Sequence, residues 1–289
     1  MKKEGCGVSI LSVLKGQLLV SSWRLKELYV MSENGDLLST VKVSEELRDA
    51  SWTPGGNIVY TTYWSNKVVA MTPSGTVMTE TEMREPCRLS VSTDDVIYLA
   101  NGESGVYESR DEGVSWSKVL ESGGDGWGCY EVIKVKTSDD CDDLWTRERK
   151  FMDGKVTWRM RVYSVKRGLG EDVSVGEVVE VREVRVRTSE GREVELSGWS
   201  VLAYDGKRAM LLSEWSDREN KKTLVHVLSS VRGEYLGLLL CVDDEMEEAR
   251  VFGLAVDVER DVVYVGYGNE RGGGKGKVGV FRMTYGNER

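Results

Sequence analysis

Apolar and polar residues alternate in short runs along almost the whole chain. Residues 17–23 (Gln-Leu-Leu-Val-Ser-Ser-Trp), 27–31 (Glu-Leu-Tyr-Val-Met), 58–63 and 96–100 all carry this pattern. A period of two sends successive side chains to opposite faces of a pleated strand, so each run predicts a β-strand. Turn residues separate the runs: Asn34-Gly35, Gly55-Gly56-Asn57, Asp94-Asp95 and Asp205-Gly206. Asn-Gly is the strongest of these, because both central residues of a type I′ hairpin need positive φ. No segment holds a helical period; the nearest, 243–250, is a short acidic run that reads as a solvated loop.

The runs repeat as a unit. Residues 50–71 read as a strand, a Gly-Gly-Asn turn, a strand, the loop Tyr63-Trp64-Ser65-Asn66 and a third strand, after which Pro73-Ser74-Gly75 leads to a fourth. Degenerate copies begin near residues 17, 50, 88, 131, 199 and 251. A four-stranded sheet of about 40 to 50 residues that is apolar on both faces is not stable alone. Radial stacking buries both faces and closes the ring, leaving only short edges. The expectation is an all-β fold, a six-bladed β-propeller of four-stranded antiparallel blades, forming a single domain over residues 1–289. The fourth copy has unusually long runs at 156–166 and 176–188. Its distance of roughly 70 residues from the fifth exceeds one period and leaves seven blades open. An N-terminal strand at 8–14 is expected to complete the last blade beside residues 278–283, latching the ring.

Two copies carry a more specific pattern. The order Gly56-Asn57-Ile58, Tyr60, Tyr63, Asn66, Val68 and Gly75 resembles an NHL repeat, and residues 253–257 with Val263-Tyr264-Val265, Tyr267-Gly268-Asn269 and Val278 are similar to it. NHL repeats build the six-bladed propeller at the C-terminus of tripartite-motif ubiquitin-ligase proteins. The resemblance implies such a propeller acting as a recognition module. The RING, B-box and coiled coil of those ligases are not among these residues.

Composition narrows the partners. The chain has 39 basic and 48 acidic residues, a net charge of -9, which opposes bulk attraction to nucleic acid or anionic membranes. Hydrophobic content of 40% supports a sizeable core. The five cysteines form no CxxC pair and are odd in number, pointing to reduced thiols in a cytoplasmic setting. The apolar run at 7–20 is broken by Lys15 and lacks a small-residue cleavage site, so no membrane span or signal peptide is expected.

Candidate binding chemistry recurs at corresponding loops. The loops between second and third strands carry Trp23-Arg24, Tyr63-Trp64, Trp145 with Arg147, Trp215 with Arg218, and Tyr267 with Arg271. The segments leading into each copy add Arg48, Trp52, Arg84, Arg88, Trp127, Tyr130, Trp199 and Arg250. Trp and Arg dominate binding hot spots because they join large buried area to a polar handle. The bland reading is that some of the nine tryptophans cap apolar space between blades. Together they predict one face that binds a protein segment; single-stranded RNA suits the same stacking and arginine chemistry. A monomer with no cofactor and no catalytic set is expected.

The remaining motifs are structural. Ser109, Asp111, Gly113, Ser115 and Trp116 fit the Asp-box pattern S-x-D-x-G-x-S/T-W, similar to the hairpin turns of sialidases, in which Asp and Ser tie down the turn above a packed Trp. His226, the only histidine, lies in a strand context with no identifiable catalytic partner. Arg271-Gly272-Gly273-Gly274-Lys275-Gly276-Lys277 leads into an apparent strand, whereas a phosphate-binding loop leads into a helix. The enzymatic alternative is a metal-dependent lactonase- or esterase-type propeller. It needs Glu, Asn and Asp converging on the channel, with Glu4, Asn101 and Asp205 as candidates.

Overall fold

The computed structural model describes residues 8, 10–21, 26–121, 125–136, 141–166, 177–194, 196–197, 200–207, 209–216, 222–242, 249–269 and 277–282. It forms six antiparallel sheets in chain order and contains no helix among these residues. Blade 1 is β1 (Ile10–Leu14), β2 (Gln17–Ser21), β3 (Glu27–Ser32) and β4 (Leu37–Lys42). Blade 2 is β5 (Leu47–Trp52), β6 (Ile58–Thr62), β7 (Lys67–Met71) and β8 (Val77–Glu82). Blade 3 is β9 (Pro86–Val91), β10 (Ile97–Asn101), β11 (Gly105–Ser109) and β12 (Ser117–Leu120). Blade 4 is β13 (Trp127–Lys136), β14 (Cys141–Met152), β15 (Lys155–Lys166) and β16 (Glu177–Val184). Blade 5 is β17 (Leu202–Tyr204), β18 (Ala209–Ser216), β19 (Lys222–Ser229) and β20 (Tyr235–Val242). Blade 6 has three strands among the described residues, β21 (Ala249–Asp257), β22 (Val262–Asn269) and β23 (Lys277–Arg282).

The burial pattern explains the alternation. In β6 all five residues are buried, with Ile58 and Tyr60 packing toward blade 1 and Val59 toward blade 3. The outer strands β4 and β8 are mostly exposed and rich in Ser, Thr, Lys and Glu, as a strand edge in water requires. Six apolar clusters lie among the described residues, one at each junction between neighbouring blades. The last joins Leu18 and Val20 of blade 1 to Ala255 and Tyr264 of blade 6 and closes the ring. Six blades are therefore present, and the long span in the fourth copy is filled by longer strands. β14 and β15 have 12 residues each, followed by a small hairpin in which Arg187 pairs with Glu193.

The expected latch is corrected. Residues 10–14 pair with β2 as the inner strand of blade 1 and do not extend the last sheet beside β23. The physical reason is local: Lys15 and Gly16, both at positive φ, fold β1 straight back on β2. That two-residue connection has a far smaller closure cost than pairing with the distant end of the chain.

Inner strands β1, β5, β9, β13, β17 and β21 line a central channel with a cavity of about 210 Å³. The face on which these strands begin is called upper here, and the opposite one lower. Loops between second and third strands open on the upper face; the hairpin turns after the first and third strands lie on the lower.

Candidate functional site

The upper face above blades 2, 3 and 4 gathers the richest side-chain chemistry among the described residues. Arg48 lies near the start of β5, Arg88 in β9, Tyr130 and Glu131 in β13, and Arg147 and Arg149 in the second half of β14. Neighbouring strands in a ring present their starts to one another, so residues far apart in sequence meet at the channel mouth. The guanidinium carbons of Arg48, Arg147 and Arg149 stand 5.3, 5.1 and 5.3 Å from the centre of the Tyr130 ring. Arg147 also stacks on Trp158 at 4.8 Å, and Arg48 on Tyr63 at 5.7 Å. A cation over a ring face is held by the ring quadrupole, more strongly where water is excluded.

Local backbone makes the gathering tight. Register shifts in β13 between Cys129 and Glu131, so Tyr130 bulges out of the ladder toward the mouth. At Gly128 a side chain would collide with the carbonyl oxygen of Gly102, so blades 3 and 4 touch backbone to backbone beneath the site. Asp153-Gly154, both at positive φ, close the β14–β15 hairpin, which carries exposed Phe151 and Met152.

Carboxylates balance part of the charge. Glu131 accepts from Arg147 Nε at 2.9 Å, and Arg88 approaches it at 3.6 Å. Arg147 is 0% exposed and also donates through Nη1 to the carbonyl of Ser197 at 2.7 Å. Burial pulls its guanidinium below the usual range against the opposing effect of Glu131. Arg149 pairs with Glu85 at 3.4 Å. Deeper in the channel, burial pushes the Asp49 carboxyl up to about 6, opposed by Arg88 and by the Leu89 N–H, which donates to Oδ2 at 2.8 Å. Lys134 sits between Asp94 at 2.5 Å and Asp142 at 3.3 Å.

The sequence-derived candidates separate clearly. Tyr63 and Trp64 lie exposed on the upper face, edge to face at 4.6 Å, with Trp64 72% exposed. Arg84 is exposed there and paired with Glu103 at 3.0 Å. Arg48 lies at the channel mouth, and Trp127 lies under the Arg159 guanidinium at 3.8 Å. Tyr267 packs half-buried at the junction of blades 5 and 6. Two placements are corrected: Trp52 ends β5 near the lower face, buried between blades 1 and 2, and Trp145 is fully buried between blades 4 and 5. Both fill apolar gaps that large rings fit. Trp23, Arg24, Trp199, Arg218 and Arg271 lie outside the described residues, as do the side chains of Trp215 and Arg250. Arg149, Trp158, Glu131 and Asp49 were missed; the alternating Arg147-Glu148-Arg149 opposite Trp158 in a long hairpin was the available signal.

The other motifs also have places. Ser109 Oγ donates to Asp111 Oδ1 at 2.8 Å, Ser115 N and Oγ donate to Asp111 at 2.9 and 2.6 Å, and Trp116 Nε1 donates to the Gly113 carbonyl at 3.2 Å. This turn lies on the lower face, where Glu112 receives the Thr53 hydroxyl and the Gly55 N–H. His226 is buried in β19 with its ring 5.9 Å from that of Tyr235. Residues 271–276 lie outside the described set, and Lys277 continues as β23. The proposed metal set does not converge. Asn101 anchors the β10–β11 loop on the upper face, accepting from Glu103 N at 3.0 Å and Ser104 N at 2.9 Å. Asp205 follows β17 on the lower face, accepting from Lys207 N at 2.9 Å, and Glu4 is outside the described residues. Among the described residues no group of three His, Cys, Asp or Glu side chains is placed to hold a metal ion.

No family model matches the chain, and no characterised protein sequence matches it. Solved structures do. The chain is similar to a luciferin-regenerating enzyme, at 13% identity and a TM-score of 0.57, covering 92% of this chain and 85% of that one. It is also similar to a catalytically inactive virginiamycin B lyase from Staphylococcus aureus with quinupristin, at 12% identity and a TM-score of 0.50, covering 93% and 94%. At such identities the likeness is one of fold, and the fold is a β-propeller.

Proposed function

We propose that this propeller is a recognition module that holds a protein segment across the upper face of blades 2 to 4. One observation carries the reading: exposed Tyr63 and Trp64 on one side and exposed Phe151 and Met152 on the other flank a floor of stacked arginines and rings. Exposed apolar groups beside arginines form the composition of an interface centre, since covering them releases water while the guanidiniums fix orientation. The NHL-like and Asp-box features belong to this reading as the framework that holds the loops. A monomer in a reducing, cytoplasmic setting fits it too, supported by buried Cys87 and Cys129 thiols.

Selection of a random displayed-peptide library on the immobilised protein tests the reading, with an RNA pool selected in parallel. Enriched peptides that bind the wild type and lose at least about tenfold in affinity on Trp64→Ala or Phe151→Ser, with unchanged melting midpoints, support it. Enrichment of RNA alone, or peptides indifferent to both substitutions, overturns it.

A hydrolase of the lactonase or esterase kind is the second reading, favoured by the polar channel lining of Asp49, Arg88, Glu131 and Lys134. It requires that a divalent metal raise the melting midpoint of chelator-treated protein and that ester hydrolysis follow the metal. The recognition reading expects neither.

A further inference from the structure

The upper mouth of the channel holds more positive charge than its own carboxylates neutralise. Arg48, Arg88, Arg147 and Arg149 face Glu85 and Glu131 there, with Asp49 below them in the channel. The chain as a whole is acidic, at -9, so this local excess is a departure from the background. Glu131 serves both Arg147 and Arg88, and Glu85 serves Arg149. Arg48 makes no salt bridge among the described residues; the Tyr130 side chain and the more distant charge of Glu85 support it. Its Nη1 donates to the Pro86 carbonyl at 3.2 Å, while its buried Nε has no acceptor. Arg147 Nη2 is buried and without an acceptor as well. Both guanidiniums flank the same Tyr130 ring, from blades 2 and 4.

Buried donors are almost always satisfied, and leaving one unmade costs more than an average hydrogen bond contributes. Ring quadrupoles from Tyr63 and Tyr130 attract these cations but bring no net negative charge. We propose that the arginine cluster around Tyr130 binds a ligand carboxylate, with Arg48 as its main partner and Arg147 behind it, and Tyr63 and Trp64 covering the adjoining apolar part. The planar guanidinium fork matches a carboxylate's two oxygens. A single excess cation among three carboxylates suits a monoanion; a dianionic phosphate meets stronger repulsion from Asp49, Glu85 and Glu131. This inference rests on the recognition reading and names the chemistry that the face takes.

The experiment uses three probes on the full chain: N-acetylphenylalanine, its uncharged amide, and phenyl phosphate, titrated by tryptophan fluorescence and ligand-observed magnetic resonance at fixed ionic strength. The acid is expected to bind saturably and at least about tenfold tighter than the amide, since a charge-assisted pair separates them. Arg48→Gln should erase that difference, Arg48→Lys should restore part of it, and Arg232→Gln, exposed in the β19–β20 turn on the lower face, should leave it within about twofold. Equal binding of acid and amide overturns the proposal, as does an acid preference that survives Arg48→Gln, or phenyl phosphate binding more tightly than the acid. The acid–amide comparison on wild type stands even where an Arg48 variant does not fold. If that comparison fails while selected peptides still depend on Trp64, the carboxylate site is wrong and the recognition face stands. If the peptides fail as well, both readings fall.

Discussion

On the lower face of the propeller, polar side chains close turns and tie blades together; on the upper face, two arginines each keep one donor without an acceptor in the chain. Glu112, at the tip of the β11–β12 turn, reaches from blade 3 to the Gly55 N–H of blade 2 at 2.9 Å. Lys207 and Asp261 join the turns of blades 5 and 6 at 2.5 Å, and Arg260 of blade 6 pairs with Glu33 of blade 1. Ser92 accepts from Val96 N, and Thr72 from Thr76 N, closing further turns. Above, Arg48 and Arg147 carry donors with no acceptor, and Tyr63, Trp64 and Phe151 stand in water. The same repeat thus produces a lower face whose turns are tied to one another across blades and an upper face that leaves rings in water and two arginine donors open.

The contrast can be broken most severely at Arg147. Arg147→Met removes the partner of buried Glu131 and should cost about 3–5 kcal/mol, read as a lower urea midpoint. Adding Glu131→Gln should recover much of the loss; no recovery would show that Arg147 acts by packing alone.

A smaller effect comes from pH. Burial raises the Asp49 carboxyl from 3.8 to about 6, so between those values the folded state holds the proton more firmly than the unfolded chain. Stability from this group is therefore greatest at low pH and falls as pH rises from about 4 to 6, by ~3 kcal/mol at full ionisation. Wild type measured against Asp49→Asn from pH 4 to 7 should show that falling difference, and a flat difference would remove the assignment.

On the lower face, Glu112→Ala should destabilise by about 1–2 kcal/mol through the buried Thr53 hydroxyl, which loses its acceptor, while leaving upper-face binding unchanged. Smallest of all, Arg84→Ala should shift the melting midpoint by less than about 1 °C, because its pair with Glu103 is exposed. Trp64→Ala should likewise spare stability. If it unfolds the protein, the upper face is structural after all and the comparison fails.

Much of the fold was legible residue by residue. Alternation in residues 58–62 and 96–100 marked strands buried on both faces, and Asn34-Gly35 and Asp205-Gly206 marked turns, because strand period and positive φ are properties of a few adjacent residues. Corresponding loops were also expected to share a face, and Arg48, Tyr63, Trp64, Arg84 and Trp127 do. The misses share a cause. Trp52 and Trp145 have the same composition signature as Trp64, and nothing in their immediate neighbours tells a ring that fills a junction from one left in water. Residues 10–14 were assigned across the ring because an alternating run does not state its partner; the tight Lys15-Gly16 turn decided it.

The sequence by itself determined strand, turn and repeat, and hence a ring of blades, since period, turn chemistry and repeat length act over neighbouring residues. Only the tertiary structure decided which rings are core and which are surface. It also decided that Arg48, Arg147 and Arg149, from two blades, surround one tyrosine. That placement depends on how closely neighbouring blades approach, set at Gly102 and Gly128 by two backbones in contact, and local sequence carries no term for the distance between blades.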